Sequence, residues 1–359
     1  MIFTGAEMTE ISSNAITVFI PSGAGAPGFA GILRCLQTEP NWRIIAGDCQ
    51  PNPYGKALAD EFFLMPPSSD EEKYMSTLLN ICSAESVDVL LPITTRELDV
   101  LAKHTEEIES LGVKLILSDV ESLKIANNKG ALAEFAKNLS LPVPAFEVVG
   151  DKISFAAATK RLFANGEKLC FKPVTGNGSR GFGIIIKDHF NSKGDLENKA
   201  GIMPLTLNEW LERVPEKFDN DWLISAFLPG KEYSVDMLCD HGKTLFCVPR
   251  SRDKMIGGIS VAGVIERNFG LIAFCIQLAQ ALELHGPIGM QWKEDNEGTP
   301  HLLEINPRLQ GTTSVLALGG LNIPVQSVKL AMGEPLSQQS ADIEWGKRFV
   351  RFWDERITE

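Results

Sequence analysis

The sequence lacks closely spaced cysteine pairs: Cys35, Cys49, Cys82, Cys170, Cys239, Cys247 and Cys275 stand singly, with no zinc-ligand spacing among them. A reduced, cytoplasmic setting is the expectation. Long apolar runs are also missing. The longest, around Phe269 to Leu284, is interrupted by Gln277 and Gln280 and falls short of the roughly 18 to 20 residues of a membrane span. It is expected as a largely buried helix. The stretch from Met1 to Ala15 carries Glu7 and Glu10 where a secretory signal would have a basic start and an apolar run, so no export is expected. Positive charge is in deficit. A formal net charge of −12 disfavours broad attraction to nucleic acid or an anionic membrane, although a local cationic pocket remains compatible with it. There is no internal repeat and no low-complexity tract.

What is present is ordinary globular composition, 44% hydrophobic and 22% charged, over 359 residues. That is more chain than one hydrophobic core usually serves. From Ala15 to Asp119, short apolar runs (Ile16–Ile20, Arg43–Ala46, Val87–Leu91, Lys114–Leu117) alternate with helical segments (Gly31–Gln37, Glu72–Ala84, Thr95–Leu111). Such alternation predicts a parallel sheet with crossover helices. Beyond Asn127 the pattern changes to hairpins: Lys168–Lys172 with Gly183–Lys187, Glu232–Leu238 with Thr244–Arg250, and Pro287–Lys293 with His301–Asn306. Antiparallel sheet with interspersed helices is expected there. Asp188 to Lys199 reads as a polar loop, followed by a short helix over Leu207–Val214.

After the first expected strand, Gly23-Ala24-Gly25-Ala26-Pro27-Gly28 spells G-x-G-x-x-G, with Asp48 beyond the next strand. Alone it meets the dinucleotide fingerprint, in which glycines admit a diphosphate and the acid holds a ribose. The other reading is a tight turn that any Rossmann-like unit needs. The second is preferred, because an oxidoreductase leaves every later motif unexplained.

Phe171 to Gly183 places four glycines and a serine between two strands, directly after Lys172. Read as a hairpin lid, its glycines let phosphate approach backbone amides and Lys172 supplies positive charge. It is not a Walker loop, since no G-K-[ST] follows. A plain turn is the alternative. Leu303-Glu304-Ile305-Asn306-Pro307-Arg308 offers a carboxylate and an amide oxygen, hard ligands suited to magnesium. Pro307 should end the strand and release Arg308 into a cleft. A capped strand end is the alternative. A hairpin turning at Asp295–Gly298 sets Gln291 opposite Glu304, as a third oxygen ligand. Phe227-Leu228 followed by a strand with Glu232, Ser234 and Asp236 on one face could hold adenine and a ribose, or is simply a turn and an amphipathic strand. Arg250 and Arg252, before Gly257-Gly258, are candidates for gripping an anionic substrate, or else solvated surface arginines.

Together and in this order, these elements resemble the ATP-grasp superfamily, specifically one half of the carbamoyl-phosphate synthase large subunit, from Ala15 to about Trp353. Asn128-Lys129-Gly130-Ala131-Leu132 and Ser22–Leu36 are part of the likeness. The resemblance implies a Rossmann-like pre-ATP-grasp domain over residues 14–120. An α+β ATP-grasp domain would follow over 121–359, with the lid in about 121–225 and the metal-binding core in about 226–359. It implies ATP with Mg2+, or Mn2+ in its place. Lys129 and Lys172 would bind phosphates with Gly178 and Ser179 of the lid, Phe227 and Leu228 would form the adenine hinge, and Glu232 would meet ribose. Gln291, Glu304 and Asn306 would hold the metal, and Arg308 would stabilise the developing oxyanion. Ser225-Ala226 departs from the acidic residue the family often has before the hinge. The likeness also covers a single synthetase half, which argues against carbamoyl phosphate synthesis itself.

The expected activity is a carboxylate–amine ligase acting through an acyl phosphate. A small-molecule kinase, a carbamoyl-phosphate-type synthase, a nicotinamide dehydrogenase and a non-catalytic nucleotide sensor are the alternatives. The expected partners are small-molecule carboxylates and amines, without nucleic acid or membrane, and a homodimer is left open.

Overall fold

A computed structural model describes residues 15–176, 181–188 and 203–352. Gly178 and Ser179, and most of the polar stretch after Asp188, lie outside the described residues. The chain opens with a parallel sheet of β1 (Ile16–Ile20), β2 (Trp42–Asp48), β3 (Glu61–Leu64), β4 (Val89–Leu90) and β5 (Lys114–Leu115), in the order β3-β2-β1-β4-β5. Helices α1 (Phe29–Leu36), α2 (Glu71–Ala84), α3 (Thr95–Lys103) and α4 (Thr105–Ser110) connect the strands. All five residues of β1 are buried, as expected for a strand covered on both faces. One core joins Val18, Ile20 and α1, and another joins Phe19 and Ile45 to α2.

The segment expected as one helix over Thr95–Leu111 is two, meeting at His104. The break is side-chain chemistry. The Thr105 hydroxyl donates back to Ala102 O at 3.0 Å, and the His104 ring reaches Glu107 and Glu71 at 3.0 and 3.2 Å. Such side-chain bonds compete with a continuous helical ladder. Strand β3 escaped the sequence reading because it is a short edge, none of whose residues is fully buried.

After α5 (Val120–Ala126) and α6 (Lys129–Asn138) come β6 (Phe146–Asp151), α7 (Lys152–Leu162), β7 (Lys168–Pro173), β8 (Gly183–Ile186), β9 (Leu205–Thr206), α8 (Leu207–Leu211) and β10 (Lys217–Ala226). These strands form one sheet, ordered β6-β10-β7-β8-β9. Phe155 of α7 packs edge-on against Phe171 and Trp222 beneath it. Next come β11 (Glu232–Asp240), β12 (Lys243–Ser251), β13 (Lys254–Ile256), β14 (Ile259–Val264), α9 (Phe269–Ala281), β15 (Gly286–Glu294), β16 (Pro300–Asn306), α10 (Ile323–Ala331) and β17 (Arg348–Val350). An antiparallel sheet ordered β12-β11-β15-β16 lies at the centre, and β13-β14-β17 form a small third one.

Strand β11 is buried on both faces, with two different chemistries. Tyr233, Val235 and Met237 join Leu271, Cys275 and Leu278 of α9 in an apolar core, while Glu232, Ser234 and Asp236 point the other way and are also buried. Helix α9 covers that sheet from outside. It is therefore buried on one face only, not largely buried as its composition suggested: Phe269 at its start is 70% exposed. Among the described residues, no helix is long and apolar enough to cross a membrane.

Candidate functional site

The polar face of the central sheet carries aligned rows of side chains. Arg250, Ser234, Gln291 and Glu304 are mutual partners across β12, β11, β15 and β16. The next row brings Asn306 opposite Gly289 and Gly289 opposite Asp236. The hairpin expectation is met here: Gln291 faces Glu304, and the bulge falls just beyond that pair, between Gln291 and Trp292. Asp295 sets the turn by accepting from the amides of Glu297 and Thr299.

Strand β16 stops at Asn306, as Pro307 dictates. The chain then folds back tightly, Arg308 N donating to Asn306 O at 2.7 Å, so Arg308 is not one extended step further on. Its guanidinium nevertheless returns to the same place. It donates to Asn306 Oδ1 at 3.0 Å, and the Asn306 amide donates to Glu304 Oε1 at 3.2 Å. Carboxylate, amide and guanidinium thus form one chain of contacts.

Two lysines approach this group from the other sheet. Lys129 opens α6, whose N-cap Asn128 accepts from the Gly130 and Ala131 amides. The Lys129 amide is bonded to Val174 O, just past β7, which carries Lys172. Lys129 Nζ lies 3.8 Å from Glu304 Oε2 and donates to Gly176 O at 2.7 Å, while Lys172 Nζ donates to Leu303 O at 3.2 Å. Burial pushes the Glu304 carboxyl up. The charges of Lys172 and Lys129, the Asn306 amide and Arg308 outweigh that and hold it below the usual carboxylate range. Burial also depresses the Lys129 ammonium against the opposing pull of Glu304, with Lys172 adding to the depression. For Arg308 burial lowers the value and Glu304 opposes it. The site is a half-buried cluster of charge: Lys129 is buried, whereas Glu304, Lys172 and Arg308 each keep some exposure to solvent.

A small pocket beside it is lined by Lys129, Lys172, Leu223, Ser225, Leu302 and Leu303. Phe227 and Leu228 follow β10; Phe227 N donates to Lys168 O, the Lys168 ammonium sits 4.2 Å from the Phe227 ring centre, and Leu228 is buried. Glu232 is held by Arg252 at 3.1 Å, with Lys293 at 3.8 Å. Arg252 also donates to Ser234 Oγ and Gly258 O, so its donors are committed within the protein. Arg250 is fully buried, which removes the reading of a solvated surface arginine. Its Nε donates to Asp236 Oδ2 at 2.6 Å, its guanidinium lies 5.8 Å from the Phe349 ring, and both terminal nitrogens lack a hydrogen-bond partner among the described residues.

The first glycine loop is occupied by the protein itself. Asp48 accepts from Gly25 N and Gln50 N, both at 2.9 Å, which takes up the carboxylate that a dinucleotide would need. Gly28 abuts Gly311 so closely that a Cβ there would come within 2.4 Å of the Gly311 Cα. The loop serves packing, as the turn reading holds.

Sequence reasoning missed the contribution of the first sheet. Thr95, first residue of α3, accepts from Arg308 Nε at 3.4 Å. Two residues on, the fully buried Glu97 accepts from Ile93 N, Thr94 N and Tyr74 Oη, fixing the loop that presents Thr95. The signal was available as Thr94-x-x-Glu97, a capping box. Gln310 was also missed. It donates to Val235 O at 3.0 Å and lies 3.4 Å from Asp236 Oδ1, bracing the polar face.

Residues 218–350 match the family described as ATP-grasp in the biosynthetic pathway with Ter operon, and residues 30–116 match the PylC-like N-terminal domain. The carbamoyl phosphate synthase large chain of Agathobacter rectalis is 24% identical over 291 residues, covering 78% of this chain and 24% of the relative. That of Lachnoclostridium phytofermentans is 23% identical over 254 residues, covering 68% of this chain and 22% of the relative. The chain therefore spans about a quarter of the length of these curated relatives. Among solved structures, biotin carboxylase from Campylobacter jejuni superposes with a TM-score of 0.68 at 16% identity, covering 93% of this chain and 74% of that one. N5-carboxyaminoimidazole synthetase from Staphylococcus aureus, complexed with ADP, superposes with a TM-score of 0.67 at 14% identity, covering 91% and 79%. L-amino acid ligase from Bacillus licheniformis gives 0.61 at 16%, covering 92% and 76%.

The fold is the one these solved structures share, and residues 218–350 of the chain match an ATP-grasp family. More particularly, the chain resembles one half of the carbamoyl phosphate synthase large chain, and its residues 30–116 match the PylC-like N-terminal domain.

Proposed function

We propose that this chain is an ATP-dependent carboxylate–amine ligase, which phosphorylates a substrate carboxylate and lets an amine displace the phosphate. The chain divides near Asp119 in this reading, between the parallel-sheet unit and the ATP-grasp unit. The observation that carries it is the row Arg250–Ser234–Gln291–Glu304. Three strand spacings of about 4.8 Å separate its ends by about 14 Å of backbone. One end has hard oxygen donors beside two lysines. The other has a buried guanidinium with two uncommitted nitrogens. A small anionic substrate fits between them, its carboxylate at the phosphoryl end.

The donor set suits magnesium. Glu304 stays charged, Gln291 and Asn306 offer amide oxygens, and Asn306 Oδ1 keeps a second lone pair beyond the one Arg308 uses. Bound Mg-ATP would supply the transferable phosphoryl group. Lys129 and Lys172 would leave the carbonyls of Gly176 and Leu303 for phosphate oxygens. Arg308 would stabilise the phosphoryl group in transfer and then the oxyanion formed on amine attack. Phe227 and Leu228 would border adenine, and Glu232, positioned by Arg252 and Lys293, would meet ribose. Gly178 and Ser179 would close over the phosphates.

The test is isotopic. With the correct carboxylate labelled with oxygen-18, one labelled oxygen should appear in inorganic phosphate when ATP and amine are present, and hydroxylamine should trap a hydroxamate. A stable phosphorylated product, with no label in free phosphate, would establish a kinase instead.

A further inference from the structure

We propose a second metal site, independent of the nucleotide site, at the far tip of the central sheet. Asp240, His241 and His285 would hold a borderline first-row divalent cation of the zinc or cobalt type. Asp240 ends β11 about 20 Å along the strand from Ser234, at about 3.4 Å per residue. His241 and Gly242 form the two-residue turn into β12, and His285 immediately precedes β15.

The three side chains already converge. One ligand atom from each lies within 4.8 Å of the others. The two imidazoles stack with centroids 4.1 Å apart and planes 16° from parallel, and His285 Nδ1 faces Asp240 Oδ1 at 3.5 Å. A tetrahedral ion bonded at about 2.0 Å sets its ligands about 3.3 Å apart. Exposed His241 and half-exposed Asp240 have room to close that gap.

The backbone is committed to this presentation. His241 has φ +44° and Gly242 φ +81°, the left-handed pair of a type I′ hairpin turn, where asparagine is the commoner first residue. Histidine there spends backbone strain to stand over His285. The His285 position is itself clamped: its amide donates to Ser118 Oγ at 2.9 Å, and that hydroxyl donates to His285 O at 3.0 Å. Gly242 N donates to Leu284 O, tying the turn to the same segment. Burial and the neighbouring His241 lower the His285 imidazole below its usual range, Asp240 opposing.

Two imidazoles and one carboxylate select zinc-like ions over magnesium, whereas the oxygen donors around Glu304 do the reverse. The ion would pin the β11–β12 hairpin tip to the entry of β15. Through Ser118 it would also hold the connection into α5.

Zinc is the probe. The full chain, stripped of metal, is titrated with Zn2+ against a chromogenic chelator in excess Mg2+. One equivalent should bind, with a rise in melting temperature and, with Co2+ instead, a visible d–d band. Affinity should fall about 100-fold in His285→Ala and in His241→Asn, asparagine being tolerant of the positive φ. Melting of the metal-free variants reports whether they fold. Where a variant does not, Asp240→Asn, outside the turn's positive-φ pair, is read in its place. Absence of binding, binding undiminished in these variants, or binding that disappears instead with Cys49→Ser at the exposed thiol would overturn the site.

Discussion

Thr95 Oγ1 lies 3.4 Å from Nε of Arg308, across 213 positions of sequence. The first residue of a helix in the parallel-sheet unit therefore touches the guanidinium beside the candidate metal ligands. Thr95→Ala should lower turnover about fivefold, the loss of about 1 kcal/mol from one long hydrogen bond. ATP affinity should be unchanged, and Thr95→Ser should restore the rate. A steady-state comparison of kcat with nucleotide affinity checks this. An equal loss in both would mean that Thr95 merely supports folding.

Lysine and asparagine substitutions should separate binding from chemistry. Lys172→Ala should weaken ATP binding by about 1.5 to 3 kcal/mol, the range for hydrogen bonds to charged groups. Asn306→Ala removes a proposed metal ligand and the Arg308 acceptor together, so it should abolish turnover with a smaller effect on ATP affinity. Calorimetry alongside single-turnover rates distinguishes the two. Unchanged ATP affinity in Lys172→Ala would remove that lysine from the phosphate site.

Gly28 has an ordinary backbone conformation, φ −94°, so alanine meets no torsional objection there. Its objection is space, since the new Cβ would face Gly311 backbone at 2.4 Å. Gly28→Ala should destabilise the chain by about 1 to 3 kcal/mol, the usual cost of overpacking. Denaturant melts report it, and an unaltered midpoint would show that the two loops separate freely.

Glu97 makes stability depend on pH. Burial raises its folded value above the ordinary 4.5, despite the hydrogen bonds from Ser22, Thr94 and Tyr74 that pull it down. The folded chain then keeps the proton where the unfolded chain has lost it. Stability from this group is present below pH 4.5 and declines as pH rises toward the folded value, by up to about 1.4 kcal/mol per unit. Glu97→Gln should lack that decline, so its melting temperature should gain on the wild type as pH rises above 4.5. Parallel melting curves over that range would exclude the effect.

Much of the geometry around Glu304 was legible because it is local. A four-residue turn at Asp295–Gly298 fixed the register that sets Gln291 against Glu304, and proline ended the strand where the chemistry needed a turn. The burial of Arg250 was not legible. It depends on Asp236 and Phe349, and only the folded sheet brings the latter near. The break at His104 was equally hidden, since Glu71, one of the two carboxylates engaging the ring, belongs to another helix. The G-x-G-x-x-G loop misleads because glycine is required both where a diphosphate approaches and where another backbone does. Gly311, which decides between them, lies far along the chain.

The core that holds β1 and α1 also includes Leu309, Leu316, Leu321, Ile323, Val328 and Ile343, and Asn322 donates to Cys35 O at the end of α1. During synthesis, β1 and α1 therefore wait for partners made much later. A ribosome-bound chain halted before Leu309 would carry its opening sheet with one apolar face uncovered, a natural client for a chaperone. Protease protection of the Ile16–Leu36 segment should thus appear late and abruptly, once residues through Ile343 have cleared the exit tunnel.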